Sequence, residues 1–187
     1  MAATTTRDRL LDSALQRFAS EGVMATTLDQ VREAAGASVG AVYHHFPDKE
    51  ALYDAVRGRA LADYQAAFIA ELERHGDAEA GVRGILAFHF RWCAANADAA
   101  RMLLEARPHE APELNQDFFP RITSWWRPHI HYGAVRDLDF LIIHALWLGP
   151  AMELTRHWLA GDTRKPTPSQ IKLLADAAWT SLKEGSK

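Results

Sequence analysis

The 187-residue sequence holds a single cysteine, Cys93. One cysteine can build neither an intramolecular disulfide nor a cysteine-spaced zinc site, and it fits a reducing compartment. Long apolar runs are also missing. The longest, Phe140 to Met152, is interrupted by His144 and Pro150, too short to span a bilayer. The first residues, MAATTTRDRL, contain no apolar signal core. These absences predict a soluble, cytoplasmic protein with no membrane partner. No stretch alternates over strand length between turn signals, so no strand is expected. Repeats and low-complexity tracts are absent too. Charge of one sign is not in excess: the net charge is −3, which gives no hint of nucleic acid. Hydrophobic residues at 48% and charged residues at 24% are ordinary for a globular chain. The length permits a core of useful size, in one large domain or a small one joined to a larger one.

What is present is helical periodicity from end to end. Leu10, Leu11, Ala14 and Phe18 mark one face of a first helix, and Gly22 is its stop. Thr27-Leu28-Asp29-Gln30 reads as a capping box, in which the N-cap threonine and N3 glutamine satisfy each other's amides. Leu28, Val31 and Ala35 form the stripe of that second helix, and Gly36 ends it. Ser38 caps a third, short helix that Pro47 closes. Asp48 caps a long helix reaching about His75. Further helices are expected at roughly 78–96, 97–106, 113–132, 135–160 and 168–184, with a kink at Gly149-Pro150 in the fourth of these. Loops fall at Arg107–Pro112 and Gly161–Thr167.

The second and third helices, joined at Gly36-Ala37, read as a helix-turn-helix. Gly36 supplies a turn conformation that a Cβ would resist. Val39, Val42 and Phe46 are spaced to face the core, which leaves Ser38, Gly40, Ala41, Tyr43 and His44 pointing away. Gly40 costs about 1 kcal/mol relative to alanine in a helix. Close approach of the backbone to a phosphate or base edge would offset it.

Thr26-Thr27-Leu28, Ala35-Gly36-Ala37-Ser38, Gly40, Tyr43, His45-Phe46 and Lys49-Glu50-x-Leu52 together resemble the N-terminal domain of the TetR family of transcriptional regulators, over roughly residues 5 to 55. The rest of the chain resembles that family only in length and helix content. The resemblance implies an all-α fold. Residues 1–50 would be a three-helix helix-turn-helix DNA-binding domain, and residues 51–187 a larger helical ligand-binding and dimerisation domain. It also implies roles. Thr27 would offer its hydroxyl and amide to a phosphate. Ser38, Gly40 and Ala41 would lie in the major groove. Tyr43 would meet a phosphate or a thymine methyl, His44 a phosphate or base edge, and Lys49 a phosphate. His45 matches a position of packing.

Two departures from the family pattern stand out. Arg32 occupies a place usually held by a small alanine; it either lies along the groove with its guanidinium near phosphate or is a solvated surface arginine. Residues 1–50 carry five Lys/Arg against seven Asp/Glu, a net of −2. Non-specific DNA affinity of one such domain should be weak, with a shallow salt dependence, and a dimer must supply the remainder.

In the larger part, Leu141, Leu148, Met152 and Leu154, and then Ile171, Leu174, Ala175, Ala178 and Leu182, form two apolar faces. Paired with their two-fold mates they would make a four-helix interface of a homodimer; otherwise they are internal core. His89, Trp92, Trp125, Trp126, His129, His144 and Trp147 cluster on three helices. Such polar-tipped rings could line a cavity for a flat, apolar or aromatic small-molecule effector, or be core with hydrogen-bonded tips.

Catalysis is the competing class, as a helical-bundle metal-dependent or other small-molecule enzyme. The di-iron signature needs Glu-x-x-His, whereas the chain has Glu71-x-x-x-His75 and Glu153-x-x-x-His157. His129 and His131 would point about 200° apart on a helix, a poor chelate. Cys93 has no nucleophile motif around it. No metal, cofactor or enzyme activity is expected. The expected partners are a double-stranded palindromic DNA operator, a small-molecule effector and a second copy of the chain. A ligand favouring one spacing of the two DNA-binding domains would shift the population, with the long helix from Asp48 as lever.

Overall fold

Among the described residues, three capping boxes start helices. Thr5 with Asp8, Thr27 with Gln30 and Thr167 with Gln170 each exchange side-chain and backbone bonds across one turn. Each box satisfies amides that a helix start leaves without partners. The computed structural model describes residues 4–105 and 115–185. Among them it places ten helices: α1 Thr6–Glu21, α2 Leu28–Ala34, α3 Val39–His45, α4 Lys49–Leu72, α5 Ala78–Ala95, α6 Ala97–Glu105, α7 Phe118–His131, α8 Phe140–Trp147, α9 Gly149–Ala160 and α10 Pro168–Leu182. The fold is all-α. The loop expected at Arg107–Pro112, and the helix start expected at Glu113, lie outside the described residues. No helix among the described residues is long and apolar enough to cross a membrane.

The chain forms two compact units: Met1–Leu61 with Asp98–Ala106, and Ala62–Ala97 with Arg107–Lys187. In the first, α1 buries Leu10, Leu11, Ala14 and Phe18 against Val31, Val42, Phe46, Leu52, Val56 and Met102. Helices as short as α2 and α3 are marginal alone, so their conformation depends on this packing. Each fully buried Leu, Val or Phe contributes about 1.5–3 kcal/mol. Gly36, at φ +60°, makes the turn between α2 and α3. Tyr53 packs edge-on to Phe18 at 5.9 Å, and Arg59 pairs with Asp12 at 2.7 Å.

One expectation here is corrected. Val39 does not face the core; it is 57% exposed, whereas Ala37, Val42 and Phe46 are buried. Val39 is the first residue of α3, at the helix edge directly after the Ser38 cap. Ala37 precedes the Ser38 cap, takes the inward place from the turn itself, and leaves Val39 outside.

The second unit has its own core, in which Phe68, Val82, Ile85, Trp126, Trp147 and Leu182 are all at or below 2% exposure. The single helix expected over 135–160 is two helices with an extended entry. Gly133, at φ +68°, follows the end of α7. Val135 then pairs antiparallel with Lys183, and Arg136 N donates to Leu182 O at 2.9 Å. Asp139 caps α8 by accepting from Leu141 N at 2.8 Å. At the expected kink the chain starts a new helix, with Pro150 in the first turn of α9, where its missing N–H costs nothing.

The expected dimer faces are also revised. Leu148, Ala175, Ala178 and Leu182 belong to the internal core of this unit. The large apolar side chains left in solvent on α8 and α10 are Leu141 at 72%, Ile142 at 48% and Leu173 at 67% exposure.

Candidate nucleic-acid interface and effector site

Ser38 sets the position of α3. Its hydroxyl oxygen accepts from Ala41 N at 3.2 Å, and Val42 and Phe46 anchor the inner side. Arg7 covers the Phe46 ring, its guanidinium carbon 5.6 Å from the centroid. Ser38, Val39, Gly40, Tyr43 and His44 are exposed and Ala41 is half-buried. Nothing lies within 4 Å of where a Cβ on Gly40 would stand, so the backbone there is open to a close approach. Of the residues expected to meet DNA, Ser38, Gly40, Ala41, Tyr43 and His44 therefore share one accessible element. Val39, expected to face the core, is exposed on the same element.

Two other expected contacts are committed elsewhere. Thr27 N donates to Gln30 Oε1 at 2.8 Å, and the Thr27 hydroxyl bonds Gln30 N and Oε1 at 3.2 and 3.0 Å. Both groups intended for a phosphate are thus used in the cap, leaving the amides of Leu28 and Asp29, which have no intrahelical acceptor. Lys49 points inward. Its ammonium donates to the carbonyls of Val23, Met24 and Thr26 at 2.9, 3.3 and 3.1 Å. A charged donor held by three carbonyls fastens the α1–α2 connection to α4, and we reassign Lys49 to that role. Arg32 pairs with Asp29 at 2.6 Å and Glu33 at 3.1 Å, and the bond to Asp29 raises its pKa.

The ring cluster divides by how its polar tips are served. His89 is 3% exposed, with Nδ1 3.0 Å from the Tyr64 hydroxyl and Nε2 3.1 Å from Thr155 Oγ1. Hydroxyls donate and accept, so either neutral tautomer is satisfied. Burial pushes its pKa down to about 4. Cys93 Sγ lies 3.9 Å from Nε2, and burial pushes that thiol up to about 12, away from nucleophilic use. Burial raises Tyr64 as well. Trp147 donates its indole N–H to Val82 O at 3.0 Å. Trp125 donates to His75 O at 3.0 Å and seats on Gly81, where a Cβ would stand 2.3 Å from the ring. Trp126 is 1% exposed, and its indole N–H has no hydrogen-bond partner among the described residues.

Rings connect these residues. Trp92 packs edge-on to Tyr64 at 4.9 Å, Tyr64 meets Phe68 at 6.0 Å, and Phe68 meets Trp147 at 5.9 Å. Trp147 contacts Trp126 at 5.1 Å, and Trp125 contacts His129 at 4.4 Å. His144 has no ring contact with this group among the described residues; burial lowers its pKa. Burial likewise lowers that of His129, against an opposing pull from Asp77. Tyr64, Phe68 and Thr155 complete the cluster and were not singled out from the sequence. Edge-to-face packing with served tips is the organisation of a core. Trp126 alone among the tryptophan tips with a described environment keeps a buried, unserved donor. Separately, a groove of about 600 Å³ runs along Ala87, Ile171 and Ala175 beside the Arg83–Asp176 ion pair, and none of the expected ring residues lines it. Among the described residues no group of three or more His, Cys, Asp or Glu could hold a metal ion.

Fold and site define an all-helical protein with an N-terminal helix-turn-helix. Residues 10–56 match the model of "Bacterial regulatory proteins, tetR family". The chain is 33% identical over 115 residues to the HTH-type transcriptional regulator AcrR of Shigella flexneri, covering 58% of this chain and 50% of that protein. It thus spans half the length of that relative. A TetR family transcription regulator from Marinobacter aquaeolei VT8 superposes with a TM-score of 0.79 at 22% identity, over 96% of each chain. The transcriptional regulator FadR from Bacillus subtilis, in complex with stearoyl-CoA, superposes with a TM-score of 0.73 at 16% identity, over 96% of this chain and 98% of that one. The match to that family's model thus covers the helix-turn-helix segment, residues 10–56, and the likeness over the whole chain is one of fold.

Proposed function

We propose that the chain is a cytoplasmic DNA-binding transcriptional regulator, a repressor that leaves a palindromic operator when a small apolar or aromatic effector binds. The carrying observation is α3: a capped short helix, anchored by Val42 and Phe46, that turns Ser38, Gly40, Tyr43 and His44 to solvent. Duplex DNA selected from a random pool by the purified protein should be palindromic, with half-sites about 34–36 Å apart. Tyr43→Ala should bind the selected duplex at least about tenfold more weakly, within the range of one good base contact, with an unchanged melting temperature. Unchanged affinity in an anisotropy titration would remove α3 from the interface.

A homodimer supplies the second half-site contact. The exposed Leu141, Ile142 and Leu173 support α8 and α10 as its surface, because apolar side chains of this size gain by leaving water. Leu141→Arg with Leu173→Arg should halve the mass seen by light scattering and abolish tight operator binding without unfolding the chain. A monomeric unmodified protein at micromolar concentration would refute the dimer. Ala178, buried at 4%, is not a usable probe, since an arginine there would disrupt the core.

For the effector, the unserved Trp126 N–H supports a ligand that carries a hydrogen-bond acceptor beside an apolar body. Long-chain acyl-CoA is the first probe, given the stearoyl-CoA complex of the Bacillus subtilis neighbour.

A further inference from the structure

α3 is the sequence VGAVYHH, and it has no arginine, lysine, asparagine, glutamine, aspartate or glutamate. The side chains that form bidentate hydrogen bonds to guanine or adenine, or accept from cytosine, are therefore missing from the helix that is proposed to enter the groove. Ser38 has its oxygen engaged by Ala41 N. Nearby cations offer little substitute, because Arg32 is paired with Asp29 and Glu33 and Lys49 is held by three carbonyls. Beside the polar tips of Tyr43 and His44, α3 presents apolar surface. Val39 and Tyr43 are each 57% exposed, one helical turn apart on the same face. Gly40 between them leaves open space, so the backbone can approach closely enough for a valine methyl to touch a base edge. The thymine C5-methyl is the apolar group that the major groove displays.

Resting on the DNA-binding reading above, we infer that each operator half-site presents a thymine C5-methyl to Val39, and that α3 reads its site chiefly by apolar contact. The occupant of the Val39 patch is thus an A·T pair in the major groove. The net −2 of residues 1–50 gives phosphate attraction a small share, so this contact weighs more in affinity than it would in a basic domain.

The test uses the full-length protein and its selected duplex, with each half-site thymine replaced in turn by deoxyuridine. That change removes only the C5-methyl. At one or two positions the unmodified protein should lose about fourfold in affinity, the factor worth one buried methyl group. Val39→Ser should show a similar loss on the thymine duplex and no further loss on deoxyuridine at that position, while Val39→Thr, which keeps one methyl, falls between. Val39 is exposed, so these variants should melt as the unmodified protein does. Indifference of the unmodified protein to every deoxyuridine would overturn the inference while leaving DNA binding intact. So would a deoxyuridine penalty that survives in Val39→Ser. Failure to select any duplex would remove the DNA-binding reading and this one with it. A changed mass of Val39→Ser in light scattering with unchanged DNA affinity would assign the patch to a protein contact instead.

Discussion

Trp147→Ala is expected to lower the free energy of unfolding by about 3–5 kcal/mol, the usual cost of emptying a buried aromatic site. Trp147 is 2% exposed and is packed against Phe68, Trp125 and Trp126, so the surrounding rings cannot collapse into the space without leaving their own contacts. The change also deprives Val82 O of its donor at 3.0 Å, which adds the desolvation cost of a buried carbonyl. Against a typical total of about 5–15 kcal/mol the loss is large. Urea unfolding followed by circular dichroism measures it, and Trp147→Phe, which keeps a ring but not the N–H, should fall between. A loss below about 1 kcal/mol would show that Trp147 borders open space, and the ring cluster would return to candidacy as the wall of a pocket. If the effector site uses Trp126 instead, Trp126→Phe should weaken acyl-CoA binding while leaving operator affinity in place.

Acidification should destabilise the second unit between pH 6.5 and about 4. His89 has an ordinary pKa of 6.5 when unfolded and about 4 when folded, because burial disfavours its charged form. Above pH 6.5 both states hold a neutral imidazole, and His89 contributes no pH dependence. Below it the unfolded chain takes up a proton that the folded chain refuses, so stability falls with pH until the folded pKa is reached. At about 1.36 kcal/mol per pH unit the full loss is about 3 kcal/mol. The groups facing His89 do not offset this. Tyr64 and Cys93 remain neutral throughout that range, since burial raises both, and Thr155 does not titrate. His144 and His129, also lowered by burial, act in the same direction. His157, raised by its bond to Asp162, acts against it. Unfolding free energies of the unmodified protein and His89→Gln, measured from pH 7 to 4, should converge as the pH falls. Parallel curves would mean that His89 is not held neutral by the fold.

How much of this was readable beforehand depends on the range of the interaction concerned. The capping box of Thr27 with Gln30, the Ser38 cap, the Gly22 stop and the α1 face of Leu10, Leu11, Ala14 and Phe18 are all where the sequence places them. Caps and stripes join residues within a turn or two, so spacing alone specifies them. Such local rules sufficed for the helical class and the helix-turn-helix. They failed where a partner is distant or where a residue sits at a helix edge, as Val39 does. Lys49 finds its carbonyls 23–26 residues away, and His89 finds Thr155 66 residues away. Leu141 and Leu148 share one apolar face in the sequence, yet one is 72% exposed and the other 4%. Only the packing of other helices separates them, because burial is a property of what covers a side chain and not of the side chain. The amino-acid order by itself thus determined that the chain is helical and where the capped helices of the helix-turn-helix begin. The tertiary structure decided which cations are committed internally, which rings have served tips and which apolar residues, Val39 above all, are left facing out to meet something else.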